Sequence, residues 1–166
     1  MQIRPSTSFA IALIAVSPYF NWAIAQNSDK LPTGSGCLEA KAIRAPQLYG
    51  IWQVSFTNPP TGLPKTAVLL LEKHEEFGDS VAGIVSRESV TASGHAAKAA
   101  LAGDVEDGFV ILDESSNNIS ISGTWNGQLV EGSCGRVVTG LWKDTSASAP
   151  PDAPDVPFTM LKRPGW

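Results

Sequence analysis

The residues that could do chemistry in this chain are few and scattered. His74 sits in the charged run Lys73-His74-Glu75-Glu76, and His95 follows Gly94 in another polar stretch. The two histidines are far apart in sequence and each lies in a polar loop between strands, so both read as solvated loop residues rather than metal ligands. Asp104, Glu106 and Asp107 flank Gly108, where acidic turn chemistry suffices, because a calcium loop needs oxygen ligands at more alternating positions. No nucleophile stands beside a base, and no carboxylate pair is placed for acid–base work. The expectation is therefore a protein that is not an enzyme and carries no metal or cofactor.

What the chain does own is tryptophan at regular spacing. Gly50-Ile51-Trp52, Gly123-Thr124-Trp125 and Gly140-Leu141-Trp142 each set Gly and Trp two residues apart. On a strand that spacing puts both on one face, the glycine leaving a gap and an indole able to fill one. Indoles so placed either plug a core or wall a ligand site. In the second reading Trp52, Trp125 and Trp142 are the stacking walls and Tyr49 a polar rim.

The elements that must position them read as strands. Runs rich in Val, Ile, Leu and Trp recur at 48–56, 66–72, 80–87, 97–105, 108–113, 119–125, 129–134, 137–142 and 158–162, separated by Gly, Pro, Asn and Asp clusters. Ile119, Ile121, Gly123 and Trp125 share one face, and Ser120, Ser122 and Thr124 the other. Asp107-Gly108 and Asn126-Gly127 have the chemistry of two-residue hairpin turns. The segment 94–103 is alanine-rich and also a fair helix by propensity, but is read here as a strand. Residues 145–157, with four prolines, make a loop. The fold class is all-β: an antiparallel up-and-down barrel of eight or nine strands, closed on itself so that no edge remains.

The chain has 166 residues, with 12 Lys plus Arg against 16 Asp plus Glu. That balance, without a basic run, argues against a nucleic-acid partner. Residues 1–25 combine Arg4, an apolar stretch from Phe9 to Tyr19 and the small-x-small ending Ala23-Ile24-Ala25; they read as a secretory signal, too short in its apolar part to span a bilayer. Residues 26–47 then form a flexible lead-in and 48–166 the barrel. Export to the periplasm or the medium makes a Cys37–Cys134 disulfide the expected state of the two cysteines. Asn118-Ile119-Ser120 matches a glycosylation sequon, which matters only in a cell that glycosylates its exports.

A Gly-x-Trp on the first strand, a late hairpin reaching another Gly-x-Trp, and the closing Phe158-Thr159-Met160-Leu161-Lys162-Arg163 resemble the calycin-type barrels, the lipocalin and avidin group with the small lipocalin-like modules of exported bacterial proteins. The run from Thr124 to Val130 followed by Leu141-Trp142 is similar in rhythm to the last third of avidin-type barrels. The resemblance implies a basic side chain, Lys162 or Arg163, covering a tryptophan. The export signal and the inward tryptophan pattern point to a non-enzymatic barrel that binds a small, partly apolar ligand at its open end. The alternative is a protein-interaction module such as an exported protease inhibitor, working through 26–36 or 145–157.

Overall fold

The computed structural model describes residues 36–88 and 97–165; the expected signal, most of the lead-in and His95 lie outside them. Eight antiparallel strands follow one another around a closed barrel: β1 (Gly50–Phe56), β2 (Thr66–Lys73), β3 (Ser80–Arg87), β4 (Ala97–Glu106), β5 (Phe109–Ser115), β6 (Gly123–Leu129), β7 (Val137–Asp144) and β8 (Val156–Lys162). β8 returns to β1, with Val54 opposite Met160 and Phe56 opposite Phe158. The all-β antiparallel barrel expected from the spacing of apolar runs is the fold.

Alternation drives this closure. Along β1, Trp52, Val54 and Phe56 are buried while Gln53 and Ser55 are exposed. Leu69 and Leu71 on β2, Val110 and Leu112 on β5, and Phe158 and Met160 on β8 point the same way. A period of two on every strand leaves one apolar wall, which only rolling can bury.

One end of the barrel is stoppered. A 3₁₀ turn (Ala40–Ala42) and the short helix α1 (Ala45–Leu48) precede β1. Gln47 Oε1 accepts the Arg44 N–H at 3.0 Å, tying the first turn of α1, and Ile43, Ala45 and Leu48 are buried in the core. The Cys37–Cys134 disulfide, with Cα atoms 4.9 Å apart, fastens this stopper to the β6–β7 connection.

Three local expectations are corrected. Asn126-Gly127 is not a turn: the two residues lie in mid-β6, opposite Leu141 and Gly140. Gly127 serves packing, since a Cβ there would sit 2.6 Å from Val138 Cγ1 and 3.3 Å from Phe158 Cζ. The true β6–β7 turn uses positive φ at Gly132, Cys134 and Gly135, which dissolves the strand expected at 129–134 and reduces the count to eight. β6 starts at Gly123, not 119, because Asn117 Oδ1 takes the N–H groups of Ile119 and Ser120, both at 2.9 Å, and Asn118 adopts φ 58°. Ile119 is consequently 90% exposed instead of inward. Asp107-Gly108, by contrast, is the β4–β5 hairpin turn, with φ of 49° and 85°. The alanine-rich segment is strand β4 from Ala97, its helix propensity overridden by pairing with β3 and β5.

Candidate ligand site at the loop end of the barrel

At the end opposite the stopper, strand alternation carries two charged residues inward. Arg87 is in phase with Val81 and Val85 on β3, and Glu114 with Val110 and Leu112 on β5. They meet as a bidentate pair, both Nη–Oε distances 2.6 Å, with side chains only 10% and 6% exposed. Glu114 Oε2 also accepts the indole N–H groups of Trp125, at 3.1 Å, and Trp142, at 3.2 Å. Four donors thus converge on one carboxylate, which is what lets a charge persist in an apolar surround. The Arg87 guanidinium lies 5.6 Å from the Trp125 ring centre and 5.3 Å from that of Trp142, within cation–π range. Its Nε is buried and finds no acceptor among the described residues.

The indoles are set by their glycines and by ring packing. Trp125 and Trp142 are directly opposed in the β6–β7 ladder, with ring centres 6.4 Å apart in an edge arrangement. Phe56 and Phe158 stand 5.6 and 5.1 Å from Trp125. The gap left by Gly123 is occupied by the Trp142 indole, since a Cβ there would fall 2.8 Å from its Nε1. These rings fill the upper barrel, so Trp125 is only 1% exposed.

Above them is a cavity of about 410 Å³, walled by Pro60 and Leu63 of the β1–β2 loop and by Pro150, Ala153 and Val156 of the β7–β8 segment, with Trp142 and Asp144 contributed by β7. Its size falls within the range of small-molecule sites, about 300–1,000 Å³. A larger cavity of about 580 Å³ at the stoppered end is lined by Glu39, Lys41, Asp107, Gln128 and Glu131; it has no aromatic floor and charges of both signs.

The four residues expected to wall one cup are divided between the two ends. Trp142 lines the cavity and Trp125 supports it from below. Trp52 lies beneath α1, donating Nε1–H to the Leu48 carbonyl at 2.8 Å, and Tyr49, half-buried, directly follows that helix. Lys162 Nζ stands 5.8 Å over the Trp52 ring and donates to the Gln47 carbonyl. Burial, and secondarily the Arg136 charge, hold its ammonium below the ordinary lysine pKa. Arg163 instead donates to Gln53 Oε1 at 3.0 Å. His74 Nδ1 accepts from the Glu76 and Phe77 N–H groups, both at 3.2 Å, and so organises a loop. Among the described residues no three His, Cys, Asp or Glu side chains gather where they could hold a metal ion.

The chain matches no protein-family model, and no curated protein is similar to it in sequence.

The Arg87–Glu114 pair escaped the reading of the sequence. Its signal was phase: Arg87, the last residue of β3, and Glu114, the last but one of β5, both fall on the apolar face. They meet inside the barrel across β4, where Ala97 stands opposite Arg87 and Leu101 opposite Glu114, so two inward side chains 27 residues apart in sequence touch over a four-residue stagger.

Proposed function

We propose that this protein is an exported, non-enzymatic barrel that binds a small, partly apolar molecule in the cavity between the β1–β2 and β7–β8 loops. The observation that carries the reading is the indole of Trp142 in a proline-walled cavity of about 410 Å³, held from behind by Glu114, Arg87 and Trp125. A rigid aromatic surface prepared before the ligand arrives keeps the ordering cost of binding small. Glu114 has both oxygens committed to four donors, an arrangement suited to scaffolding rather than to accepting a substrate proton. The disulfide is compatible with an oxidising compartment, in keeping with a periplasmic or secreted protein.

Fluorescence titration of the intact chain against a panel of hydrophobic metabolites, repeated with Trp142→Phe, tests the reading. The expected result is saturable quenching or enhancement that largely disappears in Trp142→Phe. No response to any member, or a response that the variant retains in full, overturns it.

A second reading, a protein-interaction module, is favoured by one observation. Ile119 stands 90% exposed on a loop braced by Asn117, Ser115 and Ser122 side chains. A preformed loop that offers exposed aliphatic side chains, Ile119 and beside it Ile121, is how a pocket on a partner protein is filled. Under this reading Ile119→Asp abolishes binding to the partner and leaves the Trp142 titration unchanged.

A further inference from the structure

We infer that the cavity over Trp142 selects a cationic amphiphile, an amine or guanidine with a short apolar body, whose charged head is received by Asp144. This rests on the ligand reading above and adds the chemical class.

Asp144 is the single charged side chain on the cavity lining, beside Trp142, Pro60, Leu63, Pro150 and Val156. It is half-buried and forms no ion pair among the described residues. One oxygen, Oδ1, accepts the Ser146 N–H at 2.9 Å, which fixes the carboxylate at the wall. The sequence around it has one sign: from residue 144 to 161 there are three carboxylates, Asp144, Asp152 and Asp155, and no lysine or arginine. The facing β1–β2 loop is uncharged from 57 to 64. Lys65 is exposed and lines no part of the cavity, and Lys143 alternates to the opposite face of β7 from Trp142 and Asp144.

A half-buried carboxylate in an apolar wall attracts a cation more strongly than it would in open water, and repels an anion for the same reason. Charge-assisted hydrogen bonds are roughly twice as strong as neutral ones. The Trp142 N–H is already taken by Glu114, so that indole offers its ring and not a donor. No positively charged side chain stands on this lining to favour an anionic head over a cationic one.

The test is calorimetric binding of hexylamine, hexanol and hexanoate to the intact chain at pH 7 and low salt, with Asp144→Asn as the variant. Asparagine keeps an oxygen for the Ser146 N–H, and circular dichroism checks that the fold is retained. Hexylamine is expected to bind about tenfold more tightly than hexanol, with hexanoate weakest. In Asp144→Asn the amine preference falls below about twofold while hexanol binding is unchanged. Equal binding of amine and alcohol, tighter binding of hexanoate, or an amine preference that survives in Asp144→Asn overturns the inference and leaves the ligand cavity standing. If none of the three binds and the wider panel also gives no response, both fall together.

Discussion

Trp125 and Trp142 face each other across the β6–β7 ladder and direct both indole N–H groups at the same oxygen of Glu114, 3.1 and 3.2 Å away. The carboxylate that joins them is neutralised by Arg87, whose guanidinium lies near both rings. Packing, hydrogen bonding and charge at this end of the barrel are thus one unit, and disturbing any member disturbs the floor of the cavity.

Removing one partner of that pair strands a charge in the core. Glu114→Gln and Arg87→Met are each expected to lower stability by about 3–5 kcal/mol in urea titrations. The double variant loses clearly less than the sum, because neither side is left with an unpaired charge. The coupling persists at 1 M salt, since a buried pair is little screened. Additive losses below about 1 kcal/mol each would contradict this account of the pair.

Replacing both Cys37 and Cys134 with serine releases a link spanning 97 residues of sequence. The chain-entropy treatment sets the loss at about 4–5 kcal/mol. The double variant should show a lower denaturation midpoint, reproduced by adding reductant to the wild-type chain. A shift worth less than about 1 kcal/mol would mean that the stopper holds its place without the bond.

Gly140 tolerates no side chain, for its Cβ would run into the Asn126 carbonyl and lie 2.5 Å from Gly127 Cα, backbone that cannot yield. Gly140→Ala is expected to cost about 2–3 kcal/mol. Gly78→Ala, in open space without a positive φ, is expected to be neutral or slightly stabilising. Thermal unfolding of the two variants separates the cases; similar midpoints would refute the close approach of β6 and β7.

Lys162 gives a pH signature in the alkaline range. Burial first, and Arg136 second, lower its pKa in the folded protein from 10.5. Between the lowered value and 10.5 the unfolded chain therefore holds more protons than the folded one, so stability rises with pH across that window. Below it both states are protonated and the slope from this group vanishes. In Lys162→Gln the rise should be absent when stability is measured in steps from pH 8 to 11. A wild-type chain whose stability falls across the window more steeply than the variant's would reverse the assignment.

Much of the barrel was legible because its information is local. Val54 and Phe56, or Phe158 and Met160, announce an inward face by alternation alone, and Asp107-Gly108 announces a turn by the φ values it allows. The readings that missed depend on what lies across the sheet. Gly127 looked like turn chemistry and is instead the space that Val138 and Phe158 occupy. Ile119 and Ile121 kept the alternation of a strand, yet Asn117 captured the backbone donors that pairing would have used. Trp52 and Trp142 carry the same Gly-x-Trp spacing but sit at opposite ends, because β1 and β7 meet different closures: α1 on one side, proline loops on the other. Arg87 closes the expected run 80–87 and Glu114 falls just past the expected run 108–113, and only the rolling of the sheet brings the two inward side chains together across β4.

Whether Trp142 meets the ligand while Trp52 belongs to the stopper is decided by following the indole N–H resonances of the intact, isotope-labelled chain by NMR during titration with hexylamine. The Trp142 signal, assigned through Trp142→Phe, is expected to move saturably, Trp125 to follow to a smaller extent through their shared Glu114, and Trp52 to stay where it is. A titration that shifts Trp52 and leaves Trp142 unmoved would contradict that expectation.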